Sequence, residues 1–303
     1  MDLETFMIPV LRRCAAAAAL GIAVALAASC SAGQRAIAPG SPGQTRASVP
    51  AASANDELEE LADRLQPAPG DVSHGSFSYV TTRSWPDLPT NGPWAYQRRI
   101  LVEQSWRGPG GSGRLLTWNE TAGCTPEEPE QRWTAGMPTT MLGVDQPSSD
   151  PETLRHQLLR DPSAQARDLI AVIFALAREQ HLPQPVRAAS LRLLATIPNL
   201  SLHYDVTDRA GRAGIAITHI RPDLASDGLK ATLIVHPATG QILAWHEQAV
   251  DAAGNPQPWS PSGGYIVIIA SERVADTESP YVGCRDATQA RLDFPASRPP
   301  PTA

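Results

Sequence analysis

Residues 201–220 read SLHYDVTDRAGRAGIAITHI. Apolar side chains recur at every second place, at Leu200, Leu202, Tyr204 and Val206, and GIAITHI continues in strand-forming residues. That period of two marks a pair of strands, and DRAGR between them has the composition of a turn. Strands joined this closely run antiparallel, so this stretch places the chain among antiparallel-sheet folds.

The same pattern extends in both directions. Toward the C-terminus, DG at 227–228 marks a turn, KATLIVH (230–236) runs out, PATG turns, and QILAWHEQAV (241–250) returns. GYIVIIASERV (264–274) is the last strand. Toward the N-terminus, SFSYVTTRSW (76–85), YQRRILVEQSW (96–106) and LLTWNE (115–120) are rich in aromatic and β-branched residues, as pleated strands are. Between the two groups lie three helices. Asp150 caps the first, with Pro151 in its first turn and Leu154 and Leu158 on one face. SAQARDLIAVIFALARE (163–179) is the most apolar, and QPVRAASLRLLATI (184–197) points Val186, Leu193, Leu194 and Ile197 inward. A further helix, NDELEELADRL (55–65), precedes the first strand and stripes Leu58, Leu61 and Leu65. Residues 121–149 read as irregular. The expected fold is α+β: a curved antiparallel sheet of about eight strands, interrupted by a helical insertion packed on one face.

The leader decides location. Arg12 and Arg13 precede an uncharged, alanine-rich run that ends in AVALAASCSAG (23–33). It is too short and too weakly apolar for a spanning helix and suits a secretory signal. Small residues before Cys30 resemble a lipobox, whose cysteine is acylated and becomes the mature N-terminus. An uncleaved anchor and an ordinary signal peptide are the alternatives, and translation starts at Met1 or Met7. The expected division is a lipoprotein signal peptide at 1–29, a disordered tether at 30–55, one extracytoplasmic domain at 56–294 and a disordered tail at 295–303. The membrane is then a partner through the lipid, on the outer face of the bacterial cytoplasmic membrane. Of four cysteines, Cys14 leaves with the signal and Cys30 takes lipid. Cys124 and Cys284 remain for a disulfide that would close a loop of about 160 residues; two free thiols or a metal pair are the alternatives.

Net charge is −6 and Lys230 is the only lysine among 25 basic residues. With no basic face, nucleic acid is not an expected partner. GPGGSG (108–113) matches a dinucleotide fingerprint by letters alone, because strands flank it on both sides where the motif needs a following helix. His203, His219, His236 and His246 have no metal-ligand spacing, and neither GGSGR nor SPSGG is a nucleophile elbow. No catalytic residue, metal or cofactor is assigned. The tryptophans remain: Trp85, Trp106, Trp118 and Trp245, with Ile173 and Phe174 of the apolar helix, are either core filling or the lining of a hydrophobic cleft between sheet and helices.

Taken in order, SFSYVTTRSW, VEQSWRGPGGSGR, ASLRLLATIPNL, DRAGRAGIAI and HPATGQILA resemble a family of uncharacterised actinobacterial envelope proteins over roughly residues 57–274. That resemblance implies a domain outside the membrane, commonly behind a single span, related to anti-sigma and sensor membrane proteins. The present chain is expected to depart from it in two ways, with a lipobox in place of the span and without a cytoplasmic regulatory segment. The element order is also similar to the half-barrel of lipoprotein carriers, by fold analogy. The expected function is a non-enzymatic binding or sensory module for a hydrophobic ligand. A lipid or lipoprotein carrier is the alternative, and an envelope hydrolase is third.

Overall fold

Leu58 and Leu61 pack their stripe inward from helix α1 (Ala51–Asp63), which starts earlier than the leucine pattern alone indicates. Alanine costs least of all residues to place in a helix, and Ala54 is fully buried. The end of the expected tether is therefore helical. The computed structural model describes residues 51–85, 100–120, 123–126, 129–136, 142–159, 166–221, 228–251, 254–255 and 264–278, all within one compact unit, Gln44–Ala303. The signal peptide, Cys30, Cys284 and the tail at 295–303 lie outside the described residues. No helix among the described residues is long and apolar enough to cross a membrane.

After α1 come β1 (Phe77–Trp85), β2 (Leu101–Arg107) and β3 (Gly113–Asn119), then the short β4 (Thr125–Pro126) and β5 (Gln131–Trp133). Helices α2 (Pro151–Leu158), α3 (Ala166–Glu179) and α4 (Gln184–Ala195) follow. Strands β6 (Ser201–Thr207), β7 (Ala213–Arg221), β8 (Gly228–Val235), β9 (Ile242–Val250) and β10 (Tyr265–Val274) complete the order. The fold is α+β as expected. The antiparallel sheet runs β4-β3-β2-β1-β10-β9-β8-β7-β6, a path of nine strands against about eight expected, with β5 pairing off β3. β4 and β5, of two and three residues, are too short to show a period, so 121–149 read as irregular. The first and last long strands meet in the middle, and β1 pairs with β10 along its whole length.

The helices cover one face of this sheet. Val80, Leu202, Ile217, Leu233, Val235 and Ile268 pack there against Leu169, Ile170, Ile173 and Leu176 of α3 and Leu193 and Leu194 of α4. Asp150 caps α2 by accepting the Thr153 N–H at 2.8 Å, as the sequence indicates. On the opposite face are two smaller clusters. Tyr79, Val102, Trp106, Leu116 and Trp118 form one, and Ala216, Ile234, Leu243, Tyr265 and Val267 form the other.

Candidate functional site

β9 and β10 pair only through Tyr265 with His246, Ile266 with Trp245, and Val267 with Ala244. Beyond Val267, β10 keeps β1 on one side and parts from β9 on the other. Two β-bulges sit at this level. Against β1, Thr81 faces Ala270 and Thr82 faces Ile268, leaving Ile269 as the extra residue. Against β8, Ile234 faces Ala244 and Val235 faces Ile242, leaving Leu243 extra. A bulge bends its strand and sharpens the twist, so two neighbouring bulges turn the strands apart. The opening is a cavity of about 260 Å³. Its walls include Ile242 and Leu243 from β9, Ile268, Ile269 and Ala270 from β10, and Ala177 and Leu182 from the helical layer.

A buried polar latch closes one end. A 3-10 turn, Pro69–Val72, lies on β10 so closely that a Cβ on Gly70 would come 2.3 Å from the Ser271 carbonyl oxygen. Asp71, next in the turn, accepts the Ala68 N–H at 2.7 Å and takes both prongs of the Arg187 guanidinium at 2.7 Å each. Arg187, 2% exposed, also donates to the carbonyls of Thr239 (2.8 Å) and Leu182 (2.6 Å). One side chain thus joins the 3-10 turn, the α3–α4 connection, α4 and the β8–β9 turn. Burial alone would push the Asp71 carboxyl up. The Arg187 and Ala68 hydrogen bonds outweigh it and hold the group below its ordinary value.

His181 sits beside the latch. Its backbone N–H donates to Ser78 Oγ, its Nδ1 lies 3.1 Å from Ser271 Oγ, and its buried Nε2 lies 3.3 Å from Asp71 Oδ1 without making a hydrogen bond. Burial depresses the imidazole pKa, and the Arg187 charge adds to this against the pull of Asp71. His203 and His236 are depressed by burial too. Below the ordinary histidine value of 6.5 the unfolded chain takes up protons that the folded chain refuses. Stability is therefore complete above that value and falls as pH drops beneath it. Urea unfolding at pH 7.5 and pH 5.5 is expected to show this loss, and His181→Gln is expected to shrink it. An equal loss in the variant would assign the effect away from His181.

The cavity walls also carry polar groups with spare capacity. Arg212 donates through Nε and Nη2 to the buried Asp208 carboxylate (2.8 and 2.6 Å) and through Nη2 to the Leu243 carbonyl (3.0 Å). Its Nη1 has no partner among the described residues. Gln241 accepts from Thr239 Oγ1 at 3.4 Å, and its Nε2 is likewise without a partner there. On the facing wall Glu272 accepts a 3.4 Å contact from Ser73 Oγ.

The aromatic residues grouped by the sequence do not line one cleft. Phe174 and Trp245 stack with ring centres 5.4 Å apart inside the sheet–helix core, beside the fully buried Ile173. Trp106 and Trp118 belong to the opposite face. Trp85 lies in the third cluster, with the guanidinium carbons of Arg83 and Arg209 4.7 and 5.4 Å from its ring centre. Residue type alone grouped them, whereas strand parity and the pairing order separate them. Of the cysteines, Cys124 is half-buried against the Tyr79 and Trp106 cluster with φ 63°. Its expected partner Cys284 is outside the described residues.

Asp71, His181, Arg187, Arg212 and Gln241 were not singled out by the sequence. One signal existed: an arginine at 187 within an otherwise apolar, alanine-rich helix start. No protein family, curated protein or solved structure matches the chain.

Proposed function

We propose that this chain is a cell-envelope lipoprotein, acylated on Cys30 and held on the outer face of the cytoplasmic membrane, whose folded unit is a non-enzymatic binding module. Its ligand is small and largely apolar, and it occupies the cleft where β9 and β10 part. The observation that carries this reading is the paired bulge at Ile269 and Leu243, which opens a sheet that is otherwise continuous. Apolar walls with a few polar groups are the usual make-up of a ligand site. A Cys124 to Cys284 disulfide belongs to the same proposal and suits an exported protein.

Two features favour this over the alternatives. The space between sheet and helices, where a carrier would hold acyl chains, is filled by Phe174, Trp245 and Ile173. Ser271, His181 and Asp71 stand in the order of a hydrolase relay, but Arg187 engages both Asp71 oxygens. A carboxylate already matched by a guanidinium gives little support to an imidazolium, and that support is the role of the acid in such a relay.

The test has two arms. Radiolabelled palmitate is expected to enter the wild-type chain and not Cys30→Ser. Cyclohexanol, a neutral and water-soluble apolar probe, is expected to raise the melting temperature of the full chain in detergent by linkage. Ala270→Phe, which fills the cavity, should keep the fold and abolish that rise. Equal rises in both proteins would remove the cleft from the proposal.

A further inference from the structure

We infer that the ligand of the β9/β10 cleft is a zwitterion of amino-acid size: a free α-amino acid with an aliphatic side chain. This rests on the cleft being the ligand site and adds the chemistry of its occupant. Size comes first. The cavity, about 260 Å³, falls just under the range of about 300–1,000 Å³ that holds drug-sized molecules, so neither a long acyl chain nor a folded peptide segment fits.

Charge comes second. Arg187 and Asp71 form one neutral pair, and Arg212 and Asp208 form another. Among the described residues Glu272 is the remaining charge on the walls. The unspent donors, Arg212 Nη1 and Gln241 Nε2, are on the β9 side, where Arg212 is tied to the Leu243 carbonyl. The unspent acceptor, Glu272, is on the β10 side. A simple anion would satisfy the donors and face the Glu272 carboxylate uncompensated. A simple cation would satisfy Glu272 and leave Arg212 Nη1 and Gln241 Nε2 without an acceptor. A molecule bearing a carboxylate and an ammonium a few bonds apart meets the donors on one wall and the acceptor on the other. Its side chain would lie against Ile242, Leu243, Ile268 and Ile269. Charge-assisted hydrogen bonds of this kind are the strong ones, and leaving either wall unpaired carries the larger penalty.

Calorimetric titration of the full chain with L-leucine, N-acetyl-L-leucine and L-leucinamide tests the assignment. L-leucine is expected to bind, and loss of either charge to weaken binding by about tenfold or more. Glu272→Gln, which keeps the size of the side chain and removes its charge from Tyr79 and Ser73, should bring N-acetyl-L-leucine level with L-leucine. Arg212→Gln should do the same for L-leucinamide if the Asp208 turn survives the change; Glu272→Gln decides the matter if it does not. N-acetyl-L-leucine binding as tightly as L-leucine to the wild type would overturn the inference. So would cyclohexanol binding without L-leucine binding, and that result would leave the cleft itself in place. Absence of both would take down the cleft and the inference together.

Discussion

Arg187→Ala is expected to cost about 3–5 kcal/mol of folding stability, the range for breaking a buried ion pair from one side. For a domain of this size that is a fall in melting temperature on the order of 10 °C. The loss has three sources. Asp71 keeps its charge in a partly buried place with the Ala68 N–H as its one remaining hydrogen-bond donor, and the carbonyls of Thr239 and Leu182 lose their donor. Arg187→Lys should restore part of the stability, because an ammonium neutralises Asp71 but cannot match both oxygens and two carbonyls at once. Combining Arg187→Met with Asp71→Leu should cost less than Arg187→Ala alone, since no charge is then stranded. It should not be neutral, because the two carbonyls stay unanswered. His181 adds a pH signature. Without the guanidinium, a protonated His181 can pair with Asp71 across the present 3.3 Å. Arg187→Ala should then lose less relative to wild type at pH 5.5 than at pH 8. Equilibrium urea unfolding of the four proteins at both pH values measures all of this. A cost below about 1 kcal/mol, as for an exposed pair, would show that the latch is not buried in solution.

What was legible in the sequence follows from the range of each signal. Period-two alternation and turn composition are local, so all eight long strands could be read, and so could the capped start at Asp150. The pairing of β1 with β10 leaves no local mark, because its partners are nearly 200 residues apart; Ser76 Oγ reaching the Ala275 carbonyl shows the separation. The Asp71 to Arg187 contact spans 116 residues and was hidden for the same reason. The bulges that open the cleft were hidden in another way. Ile266, Val267, Ile268 and Ile269 are four successive apolar residues, so an extra one breaks no visible alternation. Leu243 lies in a similar run, ILAW. A bulge within a strand buried on both faces is silent in sequence, and here two such bulges make the candidate site.

Trp245→Ala should likewise cost about 3–5 kcal/mol, the usual figure for truncating a buried tryptophan. Its indole is 5% exposed and stacks on Phe174 at an interplanar angle of 11°. Truncation removes both the buried area and the ring contact, and Ile173 and Phe174 sit on rigid helical backbone that can close the gap only in part. The resulting hole has apolar walls, and apolar holes of this kind stay dry and accept aromatic guests. Added indole should therefore raise the stability of Trp245→Ala with no such effect on wild type, through preferential binding to the folded state. Trp85→Ala gives the contrast. That ring is half-buried between two arginine side chains, so its loss should cost clearly less and indole should not rescue it. If the aromatics lined a ligand-ready groove under the helices, Trp245 would already face open space. Its truncation would then be cheap, and wild type would take up indole as readily as the variant. Measured unfolding energies for the two variants, with and without indole, separate a packed interior from an open one.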